Sequence, residues 1–285
     1  MNFDLQQSTI RLKDLCSSLL ASYSEEDLHQ LRVTLRRVRS ALRETPAGNK
    51  GDLRRELGTL ARATNSARDW DTLVASAHDQ LGTEQLRALL PLLEEHRETA
   101  QAQVYRMLHS PRWLAALKAI DCELALTHSE TDSKVIAAGQ LQIKLQNTAA
   151  AGRKAMARDD DKSWHKLRIA IKELRYTLDT LPQGPADSAT ARLLDECKSL
   201  QTLLGDWHDT VVHRNLLDEL ADPTSLYAAT PASDAASALQ HVLAANGQRS
   251  LEHIKQRLRR GGLAVAAQAA ANISISETYP ANSRR

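Results

Sequence analysis

Apolar residues recur at intervals of three and four along almost the whole chain, and no window alternates apolar with polar in the manner of a strand. The pattern predicts an all-α protein. Segments carrying Pro or Gly interrupt it at ETPAGNKGD (44–52), LGTE (81–84), HSPRW (109–113), LPQGPADS (181–188), ADPTS (221–225) and ATPASD (229–234), which are the expected helix breaks. Ser24 followed by Glu25, Glu26 and Asp27 reads as a helix start, with a capping hydroxyl and three acids at the positive end of the helix dipole.

One stretch of this periodicity occurs twice. Residues 28–42, LHQLRVTLRRVRSAL, align without a gap to residues 164–178, WHKLRIAIKELRYTL. Each copy has a His followed by basic residues at the same three spacings: His29, Arg32, Arg36 and Arg39, then His165, Arg168, Lys172 and Arg175. Leu31, Val33, Leu35, Val38 and Leu42 match Leu167, Ile169, Ile171, Leu174 and Leu178. A second match, ARDWDTL (67–73) against GDWHDTV (205–211), follows at nearly the same separation. The chain therefore reads as an internal duplication, a first helical-bundle repeat over 1–130, a second over 131–270 and a polar tail at 271–285. Each half has room for a four-helix bundle.

Placed on a helix at about 100° per residue, His29, Arg32, Arg36, Arg39 and Arg43 share one arc roughly 80° wide. Leu28, Leu31, Leu35, Val38 and Leu42 fill the adjoining arc, so the basic row borders the packing face. The second helix repeats the row, with Asp179 standing where the first has Arg43. Like charges one turn apart repel by a few tenths of a kcal/mol per pair, and by more when desolvated. An anionic ligand would offset that repulsion; acids from neighbouring helices, or arginines reaching into water, are the plainer alternatives. The row from His29 to Arg39 is about 15 Å long, a length that suits an extended polyanion better than one phosphate.

Composition narrows the ligand. The 285 residues carry 37 Lys+Arg against 35 Asp+Glu, so anion binding must come from the placement of charge and not its total. Aromatics make up only 4%, with a single Phe, which argues against single-stranded nucleic acid because its binding proteins add stacking platforms to charge. Cys16, Cys122 and Cys197 show no CxxC spacing and read as ordinary thiols. The N-terminus carries an early acid and no apolar run of secretory or membrane-spanning length, and GGLAVAAQAAANISIS is too short and polar to span. A soluble, cytoplasmic protein without a membrane partner is expected.

The HxxRVxxRRxRxxL segment, the HxLRxxxKxLRYxL segment and LQxLLGDWHD at 200–209 resemble the CHAD family, the conserved histidine α-helical domain, over roughly residues 8–270. The resemblance implies two pseudo-symmetric four-helix bundles around a basic central channel, and binding of inorganic polyphosphate, with localisation on polyphosphate granules and granule proteins as further partners. It places the polyphosphate-binding positions on His29, Arg32, Arg36, Arg39, His165, Arg168, Lys172 and Arg175, and adds Lys198 and, at the matching offset, Arg62. The triphosphate-tunnel domain of some members, with its ExExK motif, has no counterpart here, so triphosphate hydrolysis is not expected.

Two catalytic readings were weighed against binding. Glu26 and His29 have the ExxH spacing of a di-iron bundle, but the duplicate position is Lys162, and a cationic row is a poor metal site. His208, Asp209 and His213 are the elements of a metal-dependent phosphohydrolase, though an HD dipeptide alone is weak, and no GxxxxGK[ST] loop is present. A binding protein without catalytic residues, metal or cofactor is the reading preferred. A general phosphate-polymer or RNA binder remains an alternative, since arginine neutralises any phosphate backbone. His29 and His165, set among arginines, should stay neutral until an anion binds, so affinity should rise from about pH 8 to about pH 6.

Overall fold

The computed structural model describes residues 5–44, 50–126, 133–180, 189–222, 224 and 227–261. The described residues contain no strand, and ten helices follow in order: α1 (Leu5–Ala21), α2 (Glu25–Glu44), α3 (Lys50–Ala63), α4 (Asn65–Gln80), α5 (Thr83–Leu108), α6 (Pro111–Leu126), α7 (Ser133–Arg158), α8 (Asp161–Thr180), α9 (Ala189–Ala221) and α10 (Pro231–Arg259). The protein is all-α. The alanine, leucine, arginine, glutamine and glutamate that dominate the chain are good helix formers, and the expected breaks at 81–84, 109–113 and 229–234 fall between helices. The breaks expected at 44–52, 181–188 and 221–225 fall wholly or partly outside the described residues, as do the Ala-rich segment from 262 and the tail at 271–285.

Contacts divide the chain into two compact units, Met1–Glu130 with His213–His241, and Thr131–Val212 with Val242–Arg285. α9 and α10 each contribute residues to both.

In the first unit α1 packs on α2, α2 on α3 and α4 on α5, while α6 lies against α1 and α3. Leu12, Leu28, Leu31, Leu35, Leu57, Leu73, Leu89 and Trp113 are fully buried there. Ser24 begins α2 as expected, its hydroxyl accepting the Asp27 N–H at 3.3 Å. Asp71 on α4 is fully buried and accepts a 2.6 Å hydrogen bond from the Tyr23 hydroxyl in the α1–α2 connection. Burial raises the Asp71 carboxyl above its usual range while the Tyr23 bond opposes the shift; burial and the same bond also raise the Tyr23 hydroxyl.

In the second unit α7 packs along α8 and their core is Leu141, Leu145, Trp164, Leu167, Ile171, Leu174 and Leu178 with Leu193, Cys197, Leu200 and Leu204 of α9. Lys144 pairs with Glu173 across α7 and α8. Arg257 of α10 holds Glu196 of α9 through two bonds of 3.0 and 2.9 Å. Asp160 starts α8 by accepting the Ser163 N–H at 2.7 Å, and its carboxyl is lowered to about 2, chiefly by its bonding to Ser163 and then by Arg158.

The two helices that carry the basic rows match in length. α2 and α8 are both 20 residues long. They begin and end at positions separated by the same offset as the two basic rows.

Candidate functional site

Two basic rows, on α2 and α8

On α2 the apolar arc is sealed: Leu28, Leu31, Leu35 and Val38 have no exposed surface and Leu42 is 5% exposed. Burying such leucines stabilises a helix by about 1.5–3 kcal/mol each, and this fixes the rotation of α2. His29, Arg32, Arg36 and Arg39 are thereby held partly buried along the edge of the packed face, while Arg37 points to solvent. On α8 the same rotation follows from buried Trp164, Leu167, Ile171, Leu174 and Leu178, and it leaves His165, Arg168, Lys172 and Arg175 partly buried. One matched apolar pair does not belong to the core: Val33 is only partly buried and Ile169 is 43% exposed, on the far side of the row.

The members of the first row are not equivalent. The Arg32 guanidinium reaches the junction of α3 and α4, where Nη1 donates to Thr64 Oγ1 at 2.7 Å, Asn65 Oδ1 at 2.8 Å and the Ala61 carbonyl at 3.5 Å. It thus closes the break between two helices as well as carrying charge. Burial pushes this guanidinium below its ordinary range; Asp69 opposes the shift, and Arg36 and Arg68 add to it. Arg39 lies over Gly58 of α3, so close that a Cβ there would stand 2.8 Å from Nη2. The His29 imidazole is lowered by burial first, then by Arg68, with Glu26 opposing and Arg36 and Arg32 reinforcing.

In the second row Arg175 donates from Nε to Gln201 Oε1 at 2.7 Å and from Nη1 to Asp179 Oδ2 at 2.9 Å, and its guanidinium carbon lies 4.6 Å from the Tyr176 ring centre. His165 and His208 bring their rings to 5.0 Å. Burial lowers the His165 imidazole, and Arg168 lowers it further. His208 is lowered to about 4 by burial, then Arg168, then His165.

Arg62 and Lys198 are exposed, and each bonds one turn back on its own helix, Arg62 to Thr59 Oγ1 at 2.9 Å and Lys198 to Asp195 Oδ1 at 3.3 Å. The Arg43 side chain lies outside the described residues. The sequence reading did not single out Arg68, and it considered His208 only as an element of a phosphohydrolase, not as a neighbour of the second row. Arg68-Asp69 and His208-Asp209 align at a slightly longer offset than the second match, which pairs Asp71-Thr72 with Asp209-Thr210 and sets Trp70 opposite His208.

Among the described residues no group of three or more His, Cys, Asp or Glu side chains is arranged to hold a metal ion. His208 and His213 lie five residues apart on α9, about 140° around the helix from each other. His213 is 5% exposed and its Nε2 is 3.0 Å from Thr72 Oγ1 of α4. No described helix is long and apolar enough to cross a membrane.

Comparison with known proteins

A crystal structure of the CHAD domain from the plant Ricinus communis superposes on this chain with a TM-score of 0.69 and 26% sequence identity, over 91% of this chain and 88% of that one. Two uncharacterized proteins of Mycobacterium tuberculosis, from strain CDC 1551 / Oshkosh and strain ATCC 25618 / H37Rv, are each 30% identical over 213 residues. The alignment takes in 68% of this chain but only 40% of the length of those relatives. The family description of the CHAD domain matches residues 9–218. With its paired histidine-and-arginine helices in an all-α fold, the chain belongs to the CHAD domain family.

Proposed function

We propose that this protein binds inorganic polyphosphate along its two basic rows, without catalysis, and that it associates through the polymer with polyphosphate granules. The observation that carries the reading is the duplicated row itself. Two helices hold a His and three basic side chains in one phase, each row partly buried at the edge of a packed face. Holding like charges together in a partly desolvated place is unfavourable unless anions come to them. Arginine offers phosphate oxygens a planar, permanently charged fork, and a row about 15 Å long meets several phosphates of one chain at once. The resemblance to the CHAD family supports inorganic polyphosphate as the polymer.

Binding to such rows releases counterions, so affinity falls steeply as salt rises. The test is a titration of labelled long-chain polyphosphate at several salt concentrations, on the wild type and on a variant with Arg36→Gln and Lys172→Gln. Arg32 and Arg175 are left in place because they tie helices together. The expected result is weaker binding with a shallower salt slope. Equal affinity and slope in the variant would show that the rows are not the site.

A further inference from the structure

The two rows share their basic positions but differ in what completes them. In the first unit Arg68 of α4 acts on both His29 and Arg32, alongside Asp69, which acts on Arg32 in the opposite sense. In the second unit the corresponding group is His208 of α9, with its ring 5.0 Å from that of His165. The dipeptides Arg68-Asp69 and His208-Asp209 align at an offset about one helical turn longer than that of the rows, and the elements explain the difference: Thr64 separates α3 from α4, whereas α9 runs unbroken through the matching stretch. The same place beside the row thus holds a fixed charge in one unit and a titratable one in the other.

Resting on the polyphosphate reading, we propose that His208 is a further phosphate-contacting residue and that the His165–His208 pair makes anion binding at the second row take up protons, whereas the first row has an arginine, Arg68, in the place of His208. Both imidazoles are partly buried and lie within the field of Arg168. What keeps them neutral is desolvation and neighbouring positive charge. A phosphate chain placed against Arg168 cancels that charge and presents oxygens to the imidazole N–H groups, so each proton arriving from bulk water converts an imidazole into a charged donor.

Other charged groups stand on the helices of this unit. On α8, Lys172 belongs to the row itself; on α9, Asp206 has a carboxyl raised by burial and Asp209 is exposed. Lys144 of α7 is held by Glu173, and on α10 Lys255 is held by Asp159 and Arg257 by Glu196.

The experiment is calorimetric titration of the full chain with long-chain polyphosphate, in buffers of differing ionisation enthalpy, between about pH 8 and about pH 6. The wild type is expected to take up protons on binding, its affinity rising toward about tenfold per pH unit for each proton taken up. His208→Arg, which copies Arg68 into the second unit, is expected to bind more tightly at the high-pH end and to take up fewer protons. His208→Asn serves as a second variant of smaller volume, expected to take up fewer protons without the gain in affinity. Binding with no proton uptake in the wild type, or uptake unchanged in both variants, overturns this inference alone. Absence of binding at every pH overturns the polyphosphate reading and this inference with it.

Discussion

His213 gives a sharp test of how the first unit is held together. Its imidazole is 5% exposed, its Nε2 meets Thr72 Oγ1 at 3.0 Å, and burial lowers its pKa to about 4 from an ordinary value of 6.5. The buried form is therefore neutral. In the unfolded chain the same group takes a proton as pH falls below about 6.5, while the folded protein resists until about 4. The stability from burying the neutral ring is fully present above the higher value and is lost as pH falls through that window. A shift of about 2.5 units at about 1.4 kcal/mol per unit corresponds to roughly 3 kcal/mol lost. Replacing His213 by Gln removes the titration and keeps a group able to bond Thr72. Chemical denaturation of both proteins at several pH values within the window should show the wild type losing roughly 3 kcal/mol more than His213→Gln. Parallel losses would refute the assignment of a buried, neutral imidazole.

Other substitutions probe the supports of the rows. Tyr23→Phe takes away the hydroxyl that donates to the fully buried Asp71 and should cost about 1–3 kcal/mol in denaturation experiments. Trp164→Ala empties a fully buried site beneath α8 and removes the indole bond to Asp159, and should cost about 3–5 kcal/mol by the same measurement. Gly58→Ala sets a methyl group where the Arg39 guanidinium lies; thermal unfolding should change little, because the flexible arginine moves aside and alanine is about 1 kcal/mol better than glycine in a helix. Its polyphosphate affinity at fixed salt should fall, and unchanged affinity would show that the position of Arg39 is immaterial.

Much of the architecture was legible because the apolar spacing of α2 and α8 is strict and the same spacing orients the basic residues. The reading failed where a contact outside the local sequence decided the outcome. Thr64 carries neither Pro nor Gly nearby, yet a helix ends there, and the Arg32 guanidinium that closes the break comes from α2. Asp160, three residues before Ser163, carried a capping signal that was passed over among neighbouring acids. Pro91 lies within α5 on an exposed position and does not end it, since solvent can reach the carbonyl that its ring leaves without a donor. Ile169 matches Val33 as an apolar repeat position, but the direction the two share lies beyond the basic arc, and Ile169 is exposed. The place of Arg68 and His208 beside the rows was hidden because the match of Asp71-Thr72 to Asp209-Thr210 sets Trp70, not Arg68, opposite His208.

The ligand proposed for the rows is an extended phosphate polymer. The most direct test is competition: labelled long-chain polyphosphate bound to the full chain, displaced by unlabelled polyphosphate, single-stranded RNA or ATP at fixed salt. The account predicts that polyphosphate displaces the label at concentrations orders of magnitude below those of RNA or ATP, because only a closely spaced phosphate chain fills a row of side chains set one helical turn apart. Equal displacement by RNA would contradict it and make the rows a general anion surface.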